Sequence, residues 1–355
     1  MLGADVPPAE PQPILSHPTE SAIFLVLTVR SGSETGVADV LADASGIKRS
    51  VGFRVPEAEL TLVVGIGAGL WDRVHRGPRP AGLHPFRELV GARHSAVATP
   101  GDLLLHIRAH RFDLCFELAQ RLTDRLRGLA DVVDEVHGFR SFDDRDVLGF
   151  VDGTENPEGV AATEAVLIGD EDPAFAGGSY VIVQKYVHDL AAWDALSTEE
   201  QEAAIGRTKL NDIEFPDEDK APNSHLALNV ITGPDGEERQ IMRFNMPFGR
   251  VGAAEFGTYY IAYARTSELI ELMLTNMFIG DPPGNTDRIL DFSTAVTGNL
   301  FFVPAAELLE SLAPDASDES ATAPEVGSES ESGSGSESSS DDGSLRIGSL
   351  RDRPS

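Results

Sequence analysis

An order of secondary structure that occurs twice constrains the fold of this chain more than any other feature. In the first half, the spacing of apolar residues predicts strands and helices in the order β-α-β-β-α-β. The predicted strands cover 22–30, 60–67, 102–109 and 131–140, and the predicted helices cover 33–46 and 111–127. This order is typical of a ferredoxin-like unit, in which helices pack on one face of an antiparallel sheet.

The second half carries a comparable series of segments. The predicted strands are SYVIVQKYVHD, RQIMRFNMPF, GTYYIAYAR and LFFVP, and the predicted helices are STEEQEAAIGRT and SELIELMLTNMFI. We therefore expect an α+β fold of two ferredoxin-like domains in tandem, at 21–145 and 146–305, of the dimeric α/β-barrel type. A proline-rich arm at 1–20 precedes them, and we expect it to follow the surface without regular structure.

The expected junction of the two domains contains the sequence GFVDGTENP, residues 149–157. Its glycine, asparagine and proline residues predict a tight irregular loop, and ligand sites concentrate at domain junctions. The alternating polar residues from Asp152 also suggest a calcium-binding loop, but Pro157 occupies the position where such a loop needs glycine. Two interpretations remain, an ordinary connector and a loop that carries functional side chains.

Composition excludes several classes of partner and site. With a formal net charge of −30, the chain lacks the excess of cations with which proteins bind nucleic acid or anionic membranes. A single cysteine, Cys115, excludes an intramolecular disulfide and a multi-cysteine zinc site. The N-terminus has no pattern of an export signal, and the segment AIFLVLTV is too short to cross a bilayer, so we expect a cytoplasmic protein.

The composition changes abruptly near the C-terminus. Residues 314–342 are rich in Ser, Glu, Gly and Asp and are predicted to form a disordered linker, because they have almost nothing to bury. Residues 343–355 bring back Leu345, Ile347 and Leu350 among small and basic side chains. Apolar anchors with this spacing are typical of an extended docking peptide.

Five polar residues are candidates for a redox site. Arg243 and Asn245 share one face of the predicted strand IMRFNMPF, although an amphipathic strand with its polar face in water gives the same pattern. His225 begins the predicted strand HLALNV, Asp152 lies in the junction loop and Asp287 lies in GNTDRILDF. An imidazole, carboxyl groups, a fixed cation and an amide beside an apolar interior are the components of a haem pocket that cleaves peroxide.

These segments together resemble the dye-decolourising peroxidase family, and specifically its cytoplasmic bacterial class, class B. The resemblance rests on GFVDGTENP, NSHLALN, MRFNMPFG and GNTDRILDF and extends over most of the chain before the linker. It implies haem b in the second domain, with His225 as the proximal iron ligand and Asp287 as the carboxyl group that accepts a hydrogen bond from its imidazole. Asp152, Arg243 and Asn245 match the family's distal residues, where Asp152 moves a proton and Arg243 stabilises negative charge.

The resemblance also implies an activity and partners. Hydrogen peroxide would be reduced at the haem, and dyes, phenolics or similar donors would supply electrons one at a time. The sequence GSLRIGSL in the tail resembles the peptide that loads cargo enzymes into encapsulin nanocompartments, so we expect the enzyme to be packaged in such a shell. We also expect a homo-oligomer. Two alternatives stay open, a haem carrier or iron-releasing protein of the deferrochelatase kind and a chlorite-degrading relative.

Overall fold

The computed structural model describes residues 9–153 and 156–312. The strands in these ranges are β1 Ser21–Val29, β2 Thr61–Gly67, β3 Leu89–Val90, β4 Ser95–Ala96, β5 Leu103–Ala109, β6 Ala130–Phe139, β7 Ser179–His188, β8 Ile231–Thr232, β9 Glu238–Arg239, β10 Met242–Arg243, β11 Met246–Arg250, β12 Glu255–Ala264, β13 Ser293–Ala295 and β14 Asn299–Val303. The α-helices are α1 Glu34–Ala42, α2 Ala44–Gly52, α3 Ala68–Val74, α4 Phe112–Leu126, α5 Gly159–Val166, α6 Leu190–Asp194, α7 Thr198–Ile205, α8 His225–Asn229, α9 Ser267–Phe278 and α10 Ala306–Glu310.

Ten of these strands form one continuous sheet. Eight follow the order β10-β12-β7-β14-β2-β5-β1-β6, while β11 pairs with β12 and β13 pairs with β7. The antiparallel pairing of β14 with β2, in which Phe301 lies opposite Gly67, joins the strands of the two halves. Because β6 and β11, from opposite ends of this order, pack against each other, the sheet curls round on itself. The structure is the α+β architecture of dimeric α/β-barrel type that the repeated order predicted.

The sheet has a packed core on each of its faces. Along β5, Leu103 and Leu105 pack beneath the helices, where they join Leu118 of α4. The alternate residues of β5 point to the inside of the curled sheet, since successive side chains of a strand face opposite ways. A second apolar cluster fills that inside, and it draws on β7 and β12 as well. Two polar residues of β5, His106 and Arg108, are buried on this inner face.

The long periodic segments form the predicted elements, and two of them differ from the prediction by more than a few residues. The predicted helix at 33–46 is two helices, α1 and α2, which meet at Asp43. The bend brings Ile47 and Val51 of α2 into the core, where α2 packs against α4. The second exception is the predicted strand RQIMRFNMPF, which is interrupted between β10 and β11.

The prediction for the N-terminal arm is wrong in its described part. Pro13–Leu15 forms a 3₁₀ turn, and Ile14 within it is fully buried. The buried Gln12 donates from Nε2 to the carbonyl oxygens of Val64 and Pro304, at 3.0 and 2.9 Å. Its Oε1 accepts the N–H of Val64 at 2.8 Å. Since these partners come from different halves of the chain, the hydrogen bonds of Gln12 link the two halves.

The C-terminal predictions concern residues that the structure does not describe. The linker at 314–342 and the peptide at 343–355, with Leu345, Ile347 and Leu350, lie outside the described residues. Within the described part of the chain, no helix combines the length and the apolar character that crossing a bilayer demands.

Candidate active site

His225 begins a short helix, so the predicted strand HLALNV is wrong. The helix is α8, and its N-cap is Ser224, whose Oγ accepts the N–H of Ala227 at 3.4 Å. Asn229 closes the turn, because its Nδ2 donates to the carbonyl oxygen of His225 at 2.7 Å. These side-chain hydrogen bonds favour a helical turn, although the apolar residues alternate as in a strand. At the start of this turn, the His225 side chain lines a cavity.

Asp287 fixes the imidazole of His225. The Nδ1 of His225 donates to Oδ2 of Asp287 at 2.7 Å, and Oδ1 of the same carboxyl group accepts the N–H of Ile289 at 3.0 Å. Asp287 is fully buried, and these donors satisfy one oxygen each. Since a carboxylate only accepts, the neutral imidazole carries its proton on Nδ1, and Nε2 keeps a lone pair. That lone pair can bind a metal ion.

A second histidine, which the sequence analysis missed, lines the same cavity. In His188, at the end of β7, Nδ1 lies 2.8 Å from Oγ of Ser293 and Nε2 lies 2.9 Å from Oγ1 of Thr258. Burial lowers the pKa of His188 to about 4, so its ring is uncharged at neutral pH. Because hydroxyl groups occupy both ring nitrogens, His188 could bind a metal only after losing one of these bonds. His225 is therefore the available ligand of the two.

The junction loop holds Arg243 in place. The N–H of Arg243 donates to Oδ1 of Asn156 at 2.8 Å, and Nδ2 of Asn156 donates to the carbonyl oxygen of Arg243 at 2.7 Å. Asn156 is therefore a positioning residue, and the sequence analysis missed this role. The Nε of Arg243 is buried and has no hydrogen-bond partner among the described residues. An arginine with a buried N–H group that lacks an acceptor is suited to bind an oxygen that carries negative charge.

Asn245 causes the break in the predicted strand IMRFNMPF. Between β10 and β11, Oδ1 of Asn245 accepts the N–H of Ile261 at 3.0 Å. The side chain thus takes the place of a backbone acceptor in the pairing with β12. Asn245 also lines the cavity, and because its Oδ1 is occupied, the Nδ2 donor is the part of the amide that remains for a ligand.

Asp152 lies in the junction loop, where its N–H donates to the carbonyl oxygen of Asp144 at 3.0 Å. The loop turns at Gly153, whose φ of +82° favours glycine. The side chains of Asp152 and Asp146 both line the cavity, and the sequence analysis missed Asp146. Burial, and then the charge of Asp152, raise the pKa of Asp146 to about 7. Asp146 can therefore hold a proton near neutral pH.

The cavity brings together four of the five predicted residues, whereas Asp287 lies behind His225. Most of the remaining wall is apolar or aromatic: Leu148, Phe150, Val151, Tyr186, Ile205, Ile241, Tyr260, Met273, Met277 and Ile289. A second cavity, of about 250 Å³, shares Asp152, Arg243 and Asn245 with the first. A small molecule in the second cavity therefore reaches the polar side chains of the first.

Comparison with known proteins places the chain in a family. Residues 11–140 match the description "Dyp-type peroxidase, N-terminal", and residues 143–308 match "Dyp-type peroxidase, C-terminal". The chain belongs to the Dyp-type peroxidase family. It is 62% identical over 309 residues to a dye-decolorizing peroxidase of Rhodococcus erythropolis, a match that covers 87% of this chain and 90% of the relative.

Solved structures of Dyp-type peroxidases also resemble the chain in sequence and in fold. The encapsulated DyP-type peroxidase from Mycobacterium smegmatis is 59% identical with a TM-score of 0.85, over 86% of this chain and 99% of that chain. A variant of DypB from Rhodococcus jostii RHA1, solved in complex with heme, is 55% identical with a TM-score of 0.83, over the same shares of the two chains. The family and the fold that the sequence suggested are confirmed.

Proposed function

We propose that this Dyp-type peroxidase binds haem b in the cavity lined by His225 and uses it to reduce hydrogen peroxide. The observation that carries the proposal is the His225–Asp287 pair, which leaves the imidazole Nε2 free in a cavity that Arg243 also lines. The heme complex of the DypB relative supports haem as the cofactor.

The residues around the cavity fit a haem. His225 offers one lone pair, and in the described residues no group of three or more His, Cys, Asp or Glu side chains could hold a metal ion. This arrangement suits an iron whose other ligands come from a porphyrin. Met273, Met277 and Ile289 give the cavity apolar surface, against which a macrocycle can pack.

A bound haem would supply the redox-active iron at which peroxide is cleaved. Asp287 holds the Nδ1 proton of His225, which makes Nε2 a stronger donor to the iron. Asp152 lines both cavities and is placed to carry a proton between the two peroxide oxygens. Arg243 stabilises the negative charge that develops as the O–O bond breaks, and Nδ2 of Asn245 donates to a peroxide oxygen.

Peroxide and dyes differ in size, so we expect them to react at different places. The second cavity, of about 250 Å³, admits a molecule as small as peroxide to Asp152 and Arg243. Dyes are larger than the ligands such a cavity holds, since drug-sized molecules occupy about 300–1,000 Å³. Dyes therefore give up their electrons at the protein surface. Phenolics, like dyes, supply electrons in one-electron steps.

The haem assignment is tested by comparing His225→Ala with His188→Gln. We expect the purified protein to show a Soret band, His225→Ala to lose iron ligation and most of its haem affinity, and His188→Gln to keep the band. A His225→Ala protein with full haem and an unchanged spectrum would contradict the assignment. Mixing the holoprotein with equimolar peroxide separates the alternative functions, because the spectrum of a haem carrier would not respond.

We also propose that residues 343–355 direct the enzyme into an encapsulin shell. The anchors are Leu345, Ile347 and Leu350, and the encapsulated relative from M. smegmatis supports the proposal. Deleting 343–355 should abolish co-purification with a co-expressed shell protein and leave peroxidase turnover unchanged. Deleting 320–332 of the linker is the matched control and should preserve packaging. If the protein without 343–355 is still packaged, or if it loses haem, the peptide is not the targeting signal.

A further inference from the structure

A buried tyrosine–histidine pair lies on the inner face of the sheet, outside the cavity described above. The hydroxyl of Tyr263 on β12 lies 2.8 Å from Nδ1 of His106 on β5, and both residues are fully buried. Their rings are nearly parallel, with centroids 6.1 Å apart. Phe24 stacks on the His106 ring, with ring centroids 4.8 Å apart. The pair is therefore held rigidly and away from water.

The polar groups around this pair are incompletely satisfied. The Nε2 of His106 and the Nε and Nη1 of the neighbouring Arg108 are buried and have no hydrogen-bond partner in the described part of the chain. Unsatisfied groups cost about 1–3 kcal/mol each and are concentrated at functional sites in native proteins. Burial, and then the charge of Arg108, hold the pKa of His106 well below its usual range. Nδ1 of the uncharged His106 ring can accept the Tyr263 hydroxyl proton when the ring carries its own proton on Nε2.

Three of the other four tyrosines differ from Tyr263 in the partners of their hydroxyl groups. The hydroxyl of Tyr186 donates to the amide oxygen of Gln184 at 2.8 Å, and that of Tyr180 accepts the N–H of Gly82 at 3.0 Å. The buried hydroxyl of Tyr259 has no partner among the described residues. An amide oxygen and an N–H cannot take a proton from a phenol, whereas a neutral imidazole can.

Tyr263 is also close to the haem cavity. Phe244, which lies between the cavity residues Arg243 and Asn245, packs edge-on against Tyr263 with ring centroids 6.1 Å apart. Tyr260, three positions earlier on β12, lines the cavity itself, and three residues of strand span roughly 10 Å. Phe244 also lines the second cavity, so its ring lies between that cavity and the buried pair.

We propose that Tyr263 and His106 form a redox-active pair that stores one oxidising equivalent produced by peroxide turnover. Tyr263 loses one electron to the oxidised haem, its O–H bond breaks, and the proton forms an N–H bond at Nδ1 of His106. The products are a neutral tyrosyl radical and an imidazolium. When a donor returns the electron to Tyr263, the proton moves back, a return that the positive charge of Arg108 favours. This inference rests on the proposed haem peroxidase function.

The test is electron paramagnetic resonance of the holoenzyme, frozen after mixing with equimolar hydrogen peroxide and without a reducing substrate. Protein grown with ring-deuterated tyrosine identifies the radical, because only a tyrosyl signal narrows on this labelling. We expect a tyrosyl signal that Tyr263→Phe removes. His106→Gln should also remove it, since glutamine can accept the hydrogen bond but cannot take the proton. Tyr259→Phe is the matched control on the same face of β12 and should keep the signal.

The outcomes separate this inference from the haem assignment. An optical change with peroxide, together with a tyrosyl signal that survives in Tyr263→Phe, overturns the pair and leaves the peroxidase function intact. A signal that survives in His106→Gln overturns the role of the imidazole as proton acceptor. A holoenzyme whose haem spectrum does not respond to peroxide overturns both the proposed function and this inference.

Discussion

Replacing Asp287 by asparagine changes the hydrogen bonds behind His225 while conserving the shape of the side chain. Asp287 accepts from two donors, Nδ1 of His225 at 2.7 Å and the N–H of Ile289 at 3.0 Å. Asparagine has one acceptor oxygen in place of two. In Asp287→Asn, one of the two donors must therefore face the NH₂ group, or the imidazole must move its proton to Nε2. Either result weakens the binding of iron by Nε2.

The structure sets the size of the effect. Asp287 is fully buried, so water cannot replace the lost acceptor. A buried donor left without a partner costs about 1–3 kcal/mol, and each 1.4 kcal/mol is about a tenfold change in an equilibrium constant. We therefore expect Asp287→Asn to bind haem roughly 5- to 150-fold more weakly. The haem that binds should have a higher ferric/ferrous potential, because a neutral partner makes the imidazole a weaker donor.

The assay is a haem titration followed at the Soret band, combined with a spectroelectrochemical potential. The control is Asp291→Asn, at the other end of the 3₁₀ helix Arg288–Asp291, where the carboxyl group pairs with Arg93 and His94 away from the cavity. Asp291→Asn should change neither quantity. If Asp287→Asn keeps both the haem affinity and the potential of the unmodified protein, the assignment of Asp287 as the partner of the iron ligand is refuted.

Three further variants test the other residues of the cavity. Arg243→Leu should slow the reaction of the haem with peroxide more than Asp152→Ala, because a fixed charge at the breaking bond contributes about 3 kcal/mol and water can partly replace a proton carrier; stopped-flow mixing measures this, and the reverse order would contradict it. Asp146→Asn should change how stability depends on pH. Since the pKa of Asp146 is raised to about 7, the unmodified protein should lose about 2 kcal/mol at this group between about pH 5.5 and about pH 8. Urea unfolding of the haem-free proteins should show that loss in the unmodified protein and not in Asp146→Asn.

The parts of the fold that could be predicted from the sequence are those that long periodic segments encode. The predicted strand at 102–109 is β5, Leu103–Ala109, and the predicted helix at 111–127 is α4, Phe112–Leu126. In such segments, each additional residue of the correct period adds to the same signal. The strand predicted at His225 was wrong because α8 is five residues long and is determined by hydrogen bonds from Ser224 and Asn229. Periodicity carries no information on these bonds.

Two of the polar residues that the sequence analysis missed, His188 and Asn156, depend on partners far away in the chain. His188 is bonded to Ser293, 105 residues later, and to Thr258, 70 residues later. Such contacts exist only once the sheet has formed, so no local pattern identifies them. The five predicted site residues were found through short motifs and a family resemblance. The structure brings four of them to one cavity.

The junction loop GFVDGTENP explains how the acid and the cation come to line the same cavity. Asp152 is tied to the preceding segment by its bond to Asp144, and Asn156 is tied to the backbone of Arg243, 87 residues away in the sequence. Both bonds of Asn156 go to backbone atoms, so the loop fixes where β10 lies without depending on the side chain of Arg243. The pairing of Arg243 with Ala262 on β12 then determines to which face of the sheet that side chain points. The loop therefore determines where Arg243 lies, and the sheet determines the face to which its side chain points.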